Sequence, residues 1–548
     1  MSIPILARDN IHLKQLIGQA MAEAGNTCSL NHIDVSGIED FAGLFSDEYS
    51  GFNGDISLWD TSRATNMEAM FRGSKFQGDI SQWDVSNVTD MSQMFEASQF
   101  DGDISRWNVS KVRTMALMFH NSIFRNNISH WNTASLEDMG RMFENAHFNG
   151  DLSKWDTSSV WDMSSLFKKS PFNGDVSAWD VSSVTTMAGM FEDSQFRGSL
   201  ANWETGKVTD MERMFAKAPA PQGLNDWDTS GVVSMKEMFL GCPVGDALSL
   251  WDVSSVRTFA RMFQDSRFDG DVSRWSVGRA VDMRGMFFDS DFNGDISKWD
   301  TSNVLTMDSL FANSAFNGDI SRWNTKNVDS MRAMFFKSHF TGDLSRWDVS
   351  NVREMDQMFF ASHFNGDLSC WDVSNVASMM LMFADSSFTQ DVSMWRPTSL
   401  GKHEVLFGQA SAQITGTTPA QHVQQILRRV ASDPKNFSAN GMFLRTSYAH
   451  DLALWDLPLS VNTREMFFLN PQGLRVQSMQ PWTVLLHVES GDIPDEPYWK
   501  KLFAQLLPMG QALGLTPIQQ TQAIWDAHLG LEMDAFVAPS EQSVGALF

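Results

Sequence analysis

Tryptophan recurs every 24 residues along most of this chain, at Trp59, Trp83, Trp107, Trp131, Trp155, Trp179, Trp203, Trp227, Trp251, Trp275, Trp299, Trp323, Trp347, Trp371 and Trp395. A fixed period of this size, kept without one insertion, means stacked repeats in which each unit covers the apolar side of the next. It also removes a problem of size. A chain of 548 residues that is 43% hydrophobic is too long for one conventional core, and repetition avoids that limit.

Positions are counted here from Trp as zero. One clean unit runs from Gly78 to Phe100 as Gly-Asp-Ile-Ser-Gln-Trp-Asp-Val-Ser-Asn-Val-Thr-Asp-Met-Ser-Gln-Met-Phe-Glu-Ala-Ser-Gln-Phe. The +2 position is Val or Thr from Thr61 through Val373. That spacing predicts a very short strand with Trp and +2 inward, and with −1 and +1 outward. Apolar residues at +5, +8, +11 and +12, such as Val88, Met91, Met94 and Phe95, follow helical spacing and predict a short helix behind the Ser at +3. Phe at +17 and a Gly-Asp pair lead into the next unit. The expected coil is a strand, a short helix and a return loop.

Five segments follow from the phase. Residues 1–32 read as an N-terminal helical cap, because Leu13, Leu16, Ile17, Ala20, Met21 and Ala24 form a helical stripe closed by Gly25. The repeat occupies 33–407, with Ile33 in the first Trp slot. Residues 408–441 read as a helical insertion, and 442–469 as a final coil around Trp455. The remainder, 470–548, reads as a mainly helical cap or small domain.

The phrase Asp-Val-Ser-Asn-Val-Thr-Asp-Met at 84–91, continuing Ser-Gln-Met-Phe at 92–95, resembles the short leucine-rich repeat of BspA-like and mycoplasma-lipoprotein-type surface proteins. The likeness covers about 33–407 and again 442–468. It implies a surface or secreted protein engaged in adhesion or host interaction. Ile80-x-x-Trp83-x-Val85 also maps onto the L-x-x-L-x-L arrangement of leucine-rich repeats. The expected fold class is therefore an α/β solenoid, an LRR-like stack of 24-residue strand-helix coils with helical caps. A parallel β-solenoid is the alternative, since β-propensity covers only about three residues of each coil.

With 41 Lys and Arg against 66 Asp and Glu, a net charge of −25 argues against nucleic acid as the partner. Cys28, Cys242 and Cys370 are too far apart in sequence to suggest a metal clip or a disulfide framework. No signal peptide, lipobox or run of about 18 apolar residues is recognisable. The expected location is secreted or cell-surface by resemblance, with export of an effector or a cytoplasmic place as alternatives.

Three columns of side chains are candidates for function. At +1 stand Asp60, Asp84, Asp156, Asp180, Asp228, Asp252, Asp300, Asp348 and Asp372, interspersed with Asn108, Asn132 and Asn324. At −1 stand Arg274, Lys298, Arg322 and Arg346, with Arg106 and Lys154 earlier. Adjacent rows of opposite sign offset each other, or form a charged strip for a protein or glycan partner. Its chosen residues are Arg274, Lys298, Arg322, Arg346, Asp300, Asp348 and Asp372. A further Asp column at −4, including Asp55, Asp79, Asp103 and Asp295, suggests carboxylates accepting backbone N–H bonds. Calcium is the sharper alternative, disfavoured because each loop offers no further ligands. Trp83, Trp107, Trp299, Trp323 and Trp347 are expected to be structural core residues rather than a stacking platform.

The stretch 218–247 breaks the loop chemistry with Pro219, Pro221 and Pro243 while keeping the period, which suggests a bend or a partner patch. No catalytic or metal constellation rises above the repeat. His422, His450, His487 and His528 have no triad or metal spacing. The expected function is a non-enzymatic recognition scaffold. The alternatives are an effector with activity in the tail and a self-assembling structural protein.

Overall fold

Four side-chain-to-backbone turns recur from coil to coil along the repeat, and they account for much of its polar sequence. In the coil of Trp107, Asp103 Oδ1 accepts the Ser105 amide at 2.9 Å and Asn108 Oδ1 accepts the Ser110 amide at 3.2 Å. Thr114 Oγ1 accepts the Ala116 amide at 3.3 Å, and Ser122 Oγ accepts the Phe124 amide at 3.4 Å. These are Asx and Ser/Thr turns, the local alternative such residues offer to helix or strand.

A computed structural model describes residues 5–245 and 248–400. The chain divides into two compact units, the first of Met1–Val304 and Leu310–Gly318, the second of Leu305–Ser309 and Asp319–Phe548. Among the described residues the regular elements all lie at the start of the first unit. Strand β1, Ile5–Leu6, pairs in parallel with β2, Ile33–Asp34. Between them lies helix α1, Asn10–Ala24, whose N-cap Asp9 accepts the His12 amide and which buries Leu13 and Ile17. A single 3-10 turn follows at Asp47–Tyr49.

These elements overturn the strand-helix coil. Neither the leucine-rich-repeat solenoid nor its parallel β-solenoid alternative describes the structure, because among the described residues the coils from Trp59 onward carry no helix or extended strand and only isolated bridges. The segment read as helical is a run of turns. Met94 N–H bonds Met91 O at 3.2 Å and Ser98 N–H bonds Phe95 O at 3.2 Å, both closing over three residues. The third residue of each turn is left-handed, with φ 58° at Gln93 and 53° at Ala97, as a type II turn requires and an α-helix forbids. The same two columns, +10 and +14, are left-handed in coil after coil, from Ala69 to Asp385.

Backbone amides released by these turns join neighbouring coils. Met91, Gln93, Phe95 and Ala97 donate to the carbonyls of Thr114, Ala116, Met118 and His120, at 2.7–3.0 Å. Single parallel bridges mark the same register at +7, from Asp90 to Thr114 to Asp138 to Asp162 in the first unit and from Thr306 to Ser330 to Glu354 to Ser378 in the second. The Trp segment forms no such ladder. Trp83 N–H turns back to Ile80 O and Val88 N–H to Val85 O, so the three residues at 0 to +2 lie between turns and are too few for a strand.

The apolar positions all point inward. Trp83, Val85, Val88, Met91, Met94, Phe95 and Phe100 are buried, as are nearly all their counterparts among the described residues, Ala220 at +17 being exposed. Phe95 stacks on Phe100 at 4.4 Å within its coil and on Phe119 at 5.8 Å in the next. Each indole is also anchored, since Nε1 of Trp83 donates to Ile56 O at 3.2 Å and that of Trp347 to Ile320 O at 3.0 Å. At +2 a buried Thr adds one bond that Val lacks, as Thr157 Oγ1 donates to Asp180 O at 2.8 Å. At Gly78 the coil is tight, since an added Cβ would lie 2.7 Å from the Phe76 ring, although Asn126 and Gln390 hold the same position in other coils.

The left-handed columns give a direct test. Ala97 is exposed with φ 53°, so Ala97→Val is expected to lower stability by roughly 1–3 kcal/mol. Ala97→Gly should leave it unchanged or raise it. Urea unfolding midpoints of the two variants check this, and a helical segment would reverse the order.

Candidate recognition surface

The outward columns separate into those the fold uses and those it leaves uncommitted. At −4, Asp295 Oδ1 accepts the Ser297 amide and Asp343 Oδ1 the Ser345 amide, each at 2.9 Å. These bonds, with the serine hydroxyls, hold both carboxyls below the usual carboxylate range, and Lys298 and Arg346 add a smaller push in the same direction. At +1, Asp300, Asp348 and Asp372 accept the amides of Ser302, Ser350 and Ser374 at 3.0–3.1 Å. Asp348 is lowered by the Ser350 hydroxyl and then its amide. The Asp columns are therefore turn residues first and surface charges second.

Asparagine serves the same purpose in one coil, where Asn127 Oδ1 accepts the Ser129 amide at 2.9 Å. Asp103→Asn is accordingly expected to be near neutral, while Asp103→Ala should lose up to about 1 kcal/mol with its turn bond. Thermal melting of both variants checks the pair. A calcium role would instead make the Asn variant insensitive to chelator and the parent sensitive.

The basic residues at −1 have no such tie. Arg274 and Lys298 in the first unit, and Arg322 and Arg346 in the second, are exposed. None has a hydrogen-bond or ion-pair partner among the described residues. Arg274 acts on Asp271, Lys298 on Asp295 and Arg346 on Asp343 through space alone. Their electrostatic neighbours are thus the −4 carboxylates rather than the +1 row anticipated from sequence.

A second charged system was not anticipated. In the first unit Glu192 is clamped between Lys168 at 3.0 Å and Arg213 at 2.6 Å, and Arg213 also pairs with Glu237, which Arg261 approaches at 3.7 Å. Lys236 pairs with Glu212 at 2.7 Å alongside. The signal lies in the 24-residue columns themselves, where Arg213, Glu237 and Arg261 alternate in sign at +10. Both central carboxylates are buried, so this ladder is a structural feature of the unit.

Trp83, Trp107, Trp299, Trp323 and Trp347 are all buried and stand apart from any surface role. Through 218–247 the bridges at +7 continue from Asp210 to Ser234 to Thr258, and Phe215 still stacks on Phe239 at 5.8 Å. Cys242 is buried there, and burial pushes its thiol up to about 12. Cys28 and Cys370 are likewise free thiols. No group of three or more His, Cys, Asp or Glu side chains among the described residues is arranged to hold a metal ion. No helix among them is long and apolar enough to cross a membrane. The insertion at 408–441 with His422, the coil at 442–469 with His450, and the tail at 470–548 with His487 and His528 lie outside the described residues.

A chain of stacked turn-built repeats with a variable outer column is the class this geometry defines. The chain belongs to the family described as Mycoplasma protein of unknown function, DUF285, whose profile matches residues 13–124, 120–222, 219–315, 271–362 and 312–418. No curated protein and no solved structure matches it. The match establishes the Mycoplasma-associated side of the resemblance and does not extend to the BspA-like name.

Proposed function

We propose that this chain is a non-enzymatic recognition scaffold, secreted or displayed at a cell surface, that binds a protein or glycan partner through its −1 column. One observation carries the reading. Positions 0, +1 and +2 are nearly constant because burial and turns demand it, whereas −1 runs through Leu58, Gln82, Arg106, His130, Lys154, Ala178, Asn202, Asp226, Leu250, Arg274 and Lys298 in the first unit. Side chains that the fold does not dictate, exposed at a fixed step, are where a repeat protein changes its specificity. Leu58 and Leu250 are 78% and 72% exposed, an apolar cost that contact with a partner would offset. The resemblance of the sequence phrase to BspA-like repeats fits an adhesive role.

Charge reversal tests the reading without disturbing the core. The variants Arg274→Glu with Lys298→Glu, and Arg322→Glu with Arg346→Glu, are expected to melt as the parent does. Saturable binding of the labelled chain to intact host cells should weaken about tenfold or more, as truncated contact charges do. Saturable binding that is identical in parent and variants overturns the assignment of the surface.

A further inference from the structure

Within the second unit, His339 and His363 occupy +16 of successive coils, with ring centroids 4.9 Å apart and planes 18° from parallel. Both are exposed, and neither imidazole has a hydrogen-bond or ion-pair partner among the described residues. Their backbones are tightly held. His363 N–H donates to Ser338 O at 3.1 Å, and each histidine sits between a buried Ser and a buried Phe. The Ser338 and Ser362 hydroxyls accept the amides of Phe340 and Phe364, whose rings stack at 6.2 Å. The two Cβ atoms are thereby clamped one coil apart, and only the side-chain torsions remain open.

The fold does not call for histidine here. The same position holds Lys75, Gln99, Ile123 and Pro171 in other coils. Two adjacent imidazoles with unengaged nitrogens match the preference of Zn²⁺, Cu²⁺ and Ni²⁺, and not that of calcium or magnesium. A metal–nitrogen length of about 2.0–2.1 Å needs the two nitrogens about 3 Å apart. Rotation of two exposed rings already 4.9 Å apart reaches that separation without moving the backbone.

We propose that His339 and His363 form a two-histidine site for a transition-metal dication, with water in the remaining coordination positions. The site is independent of the −1 column and of the reading given above for it. Copper(II) alone is the probe, titrated into the full chain by calorimetry and followed by electron paramagnetic resonance. The variants are His339→Gln and His363→Gln, glutamine being native at this position as Gln99 and Gln195. The parent is expected to show a saturable site with two nitrogen ligands. Each substitution should weaken that site by roughly tenfold to a hundredfold, as loss of one arm of a chelate does. Metal-free melting should be unchanged. Equal stoichiometry and affinity in parent and variants, or loss in one variant only, overturns the paired site.

Discussion

Trp155→Ala is expected to destabilise the coils around it by about 3–5 kcal/mol, the range for emptying a large aromatic slot in a packed core. Trp155 is buried, stacks on Trp131 at 6.2 Å, and donates its indole N–H to Ile128 O at 3.1 Å. Trp155→Phe separates the two contributions. It keeps most of the apolar area and removes the indole bond, leaving the Trp131 amide as the remaining donor to the Ile128 carbonyl, for an expected loss of about 1 kcal/mol. In a repeat each coil contacts its neighbours alone, so the effect should be local. Hydrogen exchange of the amides from 131 to 179 is the measurement, with faster exchange there and little change near α1. A Phe variant that exchanges like the parent would show that the indole bond contributes nothing.

Arg213→Met should be comparably damaging, at about 3–5 kcal/mol, because it removes the cation shared by two buried carboxylates. Burial acts to raise Glu192, but it is outweighed by the bonds from Arg213 and Lys168 and by their charges, so the net position is below the ordinary glutamate value. A carboxyl depressed in the folded state contributes stability that is present above its unfolded value, about 4.3, and lost as pH falls through the folded one. The parent should therefore lose stability below about pH 4.5 with a component that Glu192→Gln lacks. Unfolding midpoints of both proteins from pH 3 to 7 measure it. Parallel curves would remove the ladder from the account.

The inward set was legible in the sequence because period alone fixes it. Trp83 and Val85, two apart, and Met91, Met94 and Phe95 behind them are all buried. The Asp turns were legible too, since Asp-x-Ser is a local signal that needs no tertiary context. Backbone conformation was not. The spacing of Val88, Met91 and Met94 suits a helix, and it suits equally a chain of turns that each advance by three or four residues. Gln93, Leu117, Arg141 and Lys169 are left-handed without being glycine, so composition gave no warning at those coils. Gly43, Gly73, Gly189, Gly241 and Gly285 fall in the same two columns with positive φ, and aligning the coils on Trp would have exposed the pattern. The spacing makes the basic row at −1 visible, but not its coupling to the −4 carboxylates Asp271, Asp295 and Asp343, because that pairing depends on a backbone of turns rather than strand.

Direct neighbourhood of residues one period apart is the claim from which everything else descends. Thr89 N–H bonds Thr65 O at 2.9 Å, which puts their Cα atoms within the span of about 4.4–6.8 Å that a disulfide bridges. In a background with Cys28, Cys242 and Cys370 replaced by serine, the pair Thr65→Cys with Thr89→Cys is expected to oxidise rapidly and completely under mild conditions. The pair Thr65→Cys with Arg113→Cys, two coils apart, should stay reduced. Crosslinking of the second pair, or none in the first, would contradict the stacking register.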